Sequence, residues 1–99
     1  KEGYYYMSDK NPTKEFKEEE KLNESLRQIM FTIILYQRHL GLADEDNSVS
    51  VDVVINEMNE LFKAEGSNTR VNFSSLYYLA TTSKIIGFKF DKDLKRIRL

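Results

Sequence analysis

Ninety-nine residues, 40% hydrophobic and 31% charged, make one domain with room for a single core. The absence of cysteine and the presence of one histidine exclude a disulfide framework, a thiolate metal site, a cysteine nucleophile and a histidine-built zinc site, and point to a reducing compartment. The net charge of −1 conceals a division: residues 1–70 carry nine Lys/Arg against fourteen Asp/Glu, and residues 71–99 carry six against two. Any case for nucleic acid therefore rests on the C-terminal third. The longest apolar run, IMFTIILY, falls far short of the roughly 20 residues that cross a bilayer. No signal peptide is visible, and the opening at Lys1 without a start methionine reads as a fragment of something longer.

In chain order, residues 1–21 read as a polar N-terminal extension, rich in tyrosine and charge, with Asn11 and Pro12 as cap and first residue of a helical lead-in. Phe16 is the one large apolar anchor of the KEFKEEEK run. Tyr4, Tyr5 and Tyr6 are costly to leave together in water and are expected against this domain or a neighbour. The folded domain is expected over residues 22–99. Leu22, Leu26, Ile29, Met30, Ile33, Ile34, Gln37 and Leu40 recur at helical spacing, and Phe31, Leu35 and Tyr36 widen the stripe, so this helix is predicted to be covered on more than one side. Gly41 supplies a left-handed stop. LADEDNS is an acidic loop without the spacing or glycine of a calcium loop.

Val49 is predicted in a short strand and Ser50 as the cap of a second helix, whose stripe is Val51, Val54, Ile55, Met58, Leu61 and Phe62. Gly66 closes it. Asn72 caps a third helix, with Val71 and Leu76 placed as a hydrophobic staple and Phe73, Leu76, Leu79 and Ala80 inward. Tyr77 and Tyr78 point about 100° apart, so one completes the core at most. The end reads as two strands around a polar turn: Ile86, Phe88 and Phe90 alternate with Gly87 and Lys89, and Ile97 and Leu99 with Arg96 and Arg98. The expected fold class is α+β: a winged helix with a three-helix core, a short strand and a C-terminal β-hairpin wing.

The segments IMFTIILYQRHLG, VSVDVVINEMNELFKAEG and LYYLATTSKIIGFKFDKDLKRIRL resemble the C-terminal winged helix of the origin recognition/Cdc6 family over residues 22–99. The likeness lies in an apolar first helix, a strand followed by a V..V..E...L helix, and an Ile-Gly step into a hairpin of alternating basic and apolar residues. Kleisin C-terminal domains and the small winged-helix subunits of bacterial condensin-like complexes fit almost as well. The resemblance implies DNA binding or packing against neighbouring subunits, and a silencing relative in budding yeast dimerises through such a domain. The ATPase motifs of those proteins are absent from this chain.

No glycine-rich phosphate loop, nucleophile elbow or HExxH is present, so an enzyme is not expected, nor a cofactor, a small-molecule substrate or a membrane partner. His39 is read as a cation at a helix C-terminus. The first functional expectation is protein–protein contact or homodimerisation within a DNA- or chromatin-associated complex, in the nucleus if the source is eukaryotic. Its candidate residues are Tyr77, Tyr78, Thr81, Ser74, Tyr36 and Tyr5, because tyrosine among small hydroxyl residues makes an adaptable surface. The alternative is weakly specific duplex binding through Arg70, Asn72, Lys84, Lys89, Lys92, Lys95, Arg96 and Arg98. Ser75 and Thr82 would also project from the third helix, which carries no arginine to grip guanine.

Overall fold

The structure, a computed structural model, describes residues 12–99, with side chains from residue 19 onward. Asn11 and the Tyr4–Tyr6 cluster lie outside the described residues. Three helices and a small antiparallel sheet follow one another as α1 (Pro12–His39), β1 (Val49–Ser50), α2 (Val51–Ala64), α3 (Phe73–Thr81), β2 (Lys89–Asp91) and β3 (Arg96–Arg98). The sheet order is β1-β3-β2, with Val49 opposite Ile97 and Phe90 opposite Ile97 on its other side. The chain is thus α+β, compatible with a winged-helix-like shape.

Local chemistry sets the element ends. Pro12 opens α1, which runs unbroken through Leu22 to His39. Gly41 and Gly66 take positive φ, +80° and +74°, and end α1 and α2 in the conformation that costs glycine least. Ser50 accepts from Val53 N–H and Asn72 from Ser75 N–H, each capping its helix through the side-chain oxygen. The strand before the wing is shorter than the alternation at Ile86–Phe90 predicts. Phe88 N–H bonds back to Ile86 C=O at 3.1 Å, so the chain turns there and pairs only from Lys89.

Met30 and Ile34 of α1, Val51, Val54 and Met58 of α2, Leu76 and Leu79 of α3, and Val49 and Ile97 of the sheet form one core. Three members of the predicted stripes stand outside it: Leu22, Leu40 and Leu61 are exposed. Leu35 and Tyr36 are exposed too, so α1 is covered on one side rather than several. The reason is geometric. Twenty-eight residues make a helix of about 42 Å, whereas the 14 residues of α2 span about 21 Å and cannot clothe its length.

A charged residue lies at the centre of the packing. Arg27, 1% exposed, donates from Nε to Leu79 C=O at 2.9 Å and from Nη2 to Thr82 Oγ1 at 2.7 Å. Its Nη1 meets Glu24 at 2.7 Å and Glu20 at 3.1 Å. Leu79 is in the last turn of α3, whose own last turn holds no basic residue. The guanidinium therefore satisfies a carbonyl that the helix leaves without a partner, and opposes the negative end of its dipole. At the other end of α3, Asn59 of α2 takes Val71 N–H at 2.8 Å and gives to Val71 C=O at 3.0 Å.

Arg27→Ala strands Leu79 C=O and leaves two carboxylates without their cation, and should cost about 3 kcal/mol. For a domain of this size that lowers the melting temperature by about 12 °C or more. Glu24→Gln keeps the cation in place and should cost under about 1 kcal/mol. Thermal and urea melts followed by circular dichroism measure both.

Candidate interaction surfaces

The third helix presents its two tyrosines to different neighbours. Phe73 and Tyr77, one turn apart, both meet Phe90 of β2 edge-on, with centroids 5.4 and 5.2 Å away and interplanar angles of 76° and 78°. Phe90 reaches them because strand alternation turns it inward while Lys89 and Asp91 face out. The wing then returns over the same rings. Lys92 Nζ stands 5.1 Å from the Tyr77 centroid and Lys95 Nζ 6.0 Å from that of Phe73. Three aromatic rings and two ammonium groups thus join the helix to the wing as one surface.

Tyr78 belongs to the other side of the helix. With Ser74, Arg70 and Leu79 it lines an open groove of about 510 Å³, whose far wall is Glu19, Leu22 and Asn23 of α1. Neither tyrosine completes the core: Tyr77 is 36% exposed and Tyr78 54%.

The hydroxyl-rich face of α3 is largely engaged within the chain. Ser75 Oγ donates to Asn72 Oδ1 at 2.9 Å, Thr81 Oγ1 to Tyr77 C=O at 2.7 Å, and Thr82 Oγ1 to Tyr78 C=O at 2.6 Å. Asn72 Oδ1 is occupied as the cap. Arg70 lies exposed, but its Nη1 bonds the carbonyls of Ser67 and Thr69 at 2.8 and 2.6 Å. A bidentate grip on adenine needs both the oxygen and the amine of an asparagine amide, and the Asn72 oxygen is already taken.

The basic residues of the wing divide likewise. Arg96 turns back to β1: Nη2 donates to Ser48 C=O at 2.8 Å and pairs with Asp44 at 3.0 Å, and Nε reaches Ser48 Oγ at 3.2 Å. Hydrogen bonds from Ser48, aided by the Arg98 guanidinium, hold the Asp46 carboxyl below its usual range. Lys84, Lys89, Lys92, Lys95 and Arg98 are exposed. Lys89 and Arg98 stand directly opposite each other in the sheet, two like charges on one face. Lys95 holds a left-handed φ of 54° at the tip of the turn, where Leu94 N–H bonds Asp91 Oδ1.

Of the sequence-predicted candidates, Tyr77, Lys92 and Lys95 come together, as do Tyr78, Ser74 and Arg70. Thr81 is exposed on α3, Tyr36 lies far along α1, and Tyr5 is outside the described residues. Arg27, Asn59 and Ser48 were not singled out by periodicity, since each is a polar residue beside an apolar stripe. Among the described residues no group of three or more His, Asp or Glu could hold a metal ion, and no helix is long and apolar enough to cross a membrane.

No family model, no curated protein and no solved structure matches this chain.

Phe90→Ala removes both edge-to-face contacts and should destabilise the domain by about 2 kcal/mol. The loss should be local to the wing. Amide exchange is expected to rise over residues 88–98 while the amides around Arg27 keep their protection.

Proposed function

We propose that residues 22–99 form a non-catalytic winged-helix module that contacts protein, either a partner or a second copy, within a DNA- or chromatin-associated assembly. The observation that carries this reading is the state of the α3 surface. Its amide cap and three of its hydroxyls are bonded inside the chain, while Tyr77 and Tyr78 keep a third to a half of their area in water. Rings in that position bury much area at small entropic cost and have little to say to base edges. The acidic and basic halves of the chain give such contacts a means of orientation.

Tyr78→Ala tests the reading where the fold is least disturbed, because its ring stands outside the core. Association with partner protein should weaken about tenfold or more with the melting temperature of the free chain unchanged. Calorimetric titration or sedimentation reads the affinity. Full binding of partner protein by a Tyr77→Ala, Tyr78→Ala chain would refute it.

A second reading is favoured by one specific feature, the exposed Lys89, Lys92, Lys95 and Arg98 on one hairpin, with Lys84 before it. These suit phosphate contacts, which hold a duplex without reading its sequence. In a fluorescence titration with a labelled duplex at low salt, replacing Lys89, Lys92 and Arg98 by Gln should lower the slope of log K against log salt by about 3. Absence of binding at low salt removes this reading.

A further inference from the structure

Helix α1 carries an apolar line that the core does not use up. Leu22, Leu26, Ile29, Ile33, Tyr36 and Leu40 recur at alternating spacings of 4 and 3, the pattern of a helix–helix seam. Leu26 is turned into the core, but Leu22, Tyr36 and Leu40 are 52%, 55% and 50% exposed, and Ile29 and Ile33 are partly covered. Beside them the exposed Leu61 of α2 completes an open, mostly apolar groove of about 220 Å³. Leu40 keeps helical register, since its N–H bonds Tyr36 C=O at 3.0 Å. Single exposed leucines are ordinary on a protein surface; three exposed apolar residues and two partly covered ones along one line of one helix are not.

We infer that this face is covered by a second copy of the chain, whose α1 runs antiparallel to the first. Two independent features select that occupant. The first is a mirror in the sequence. Leu22 and Leu40, Leu26 and Tyr36, and Ile29 and Ile33 are each equally far from Phe31. A two-fold axis at the level of Phe31 therefore brings every apolar residue of one helix level with an apolar residue of the other, the self-complementary arrangement of a closed dimer.

The second feature is charge. Residues 15–24 contain five Glu against two Lys, whereas residues 25–43 contain no acid and hold Arg27, Arg38 and His39. Antiparallel packing lays the acidic first third of one α1 along the basic last turn of the other, and opposes the two helix dipoles. Parallel packing sets like charge beside like charge. This inference goes beyond the reading above: it gives the second copy to α1, whose Leu22 end borders the Tyr78 groove but whose remainder is apart from Tyr77 and the wing, and leaves α3 to a partner protein.

The chain has no cysteine, so single introduced thiols report without interference. Sedimentation equilibrium of the full chain should show a monomer–dimer equilibrium, and Tyr36→Glu with Leu40→Glu should weaken it about tenfold or more while the melting temperature of the dilute monomer is unchanged. Under oxidation Thr32→Cys, next to the axis, should form a covalent dimer. Leu22→Cys should not link to itself but should link when mixed with Leu40→Cys. Self-linking of Leu22→Cys would indicate parallel helices and overturn the inference. So would a dimer that ignores the α1 pair and is lost on Tyr77→Ala with Tyr78→Ala, which would leave the α3 reading standing. A monomer at every concentration also overturns it, and partner binding by Tyr78→Ala then judges the earlier reading separately.

Discussion

The hold of Arg27 on the C-terminal end of α3 is the constraint on which the rest of the arrangement depends. A nine-residue helix is marginal by itself, because nucleation costs more than so few backbone bonds return. Here α3 is fixed from outside at both ends. Asn72 and the Asn59–Val71 pair secure its start, and a guanidinium from another helix secures its finish. Burying a cation is costly unless it is paired and hydrogen-bonded, and Arg27 meets four oxygens: two carboxylates, a carbonyl and a hydroxyl. The rigid fork of arginine can reach all four at once; lysine, a point charge, cannot satisfy that geometry.

Fixing α3 in this way decides what each tyrosine faces. With the side chains of Leu76 and Leu79 in the core, Phe73 and Tyr77 emerge on the wing side and Ser74 and Tyr78 on the α1 side. The wing has little other attachment, since β2 and β3 are three residues each. Phe90 against two rings, and Ile97 in the core between two neighbours in the sheet, hold it in place. Two lysines over aromatic faces then keep their charge outward at fixed points. Part of the charge division along the chain closes on itself, because Arg96 meets Asp44 and Arg98 lies near Asp46. What is left over for a partner is the lysine-rich outer edge.

The sequence made the helices, their caps and the hairpin legible, because each rests on a local rule. Asn72 and Ser50 announce their helices by residue type, Gly41 and Gly66 by the backbone angle they permit, and Val51, Val54, Met58 and Phe62 by spacing alone. Arg27 was not legible, since it sits about 100° from Leu26 on the same side as Met30 and Ile34, and an apolar count passes over it. Nothing local distinguishes an arginine that snorkels to water from one that caps a helix 52 residues later. Asn59 and Ser48 escaped for the same reason: their partners, Val71 and Arg96, are tertiary neighbours. Leu22, Leu40 and Leu61 erred in the opposite sense. Periodicity states that a stripe will be covered, and it does not say whether the same chain supplies the cover.

That last ambiguity gives α1 its double character. Arg27 projects on one flank of the helix, towards α3, while Ile29 and Ile33 line a groove with Leu61 of α2 on the other. The flanks meet at Leu22 and Leu26, which border the groove of Tyr78 and Leu79, and part from Ile29 onward, where residues without shared partners affect stability and binding almost additively. A long helix suits this division, and α1 runs without an internal glycine or proline, the usual causes of a kink, from Pro12 to His39. Folding of the domain is secured on the Arg27 side, and in the dimer inferred above the line of leucine, isoleucine and tyrosine serves association. A chain whose apolar content exceeds what its own core encloses, with part of that excess set in a line along one helix, has the geometry to separate those two tasks.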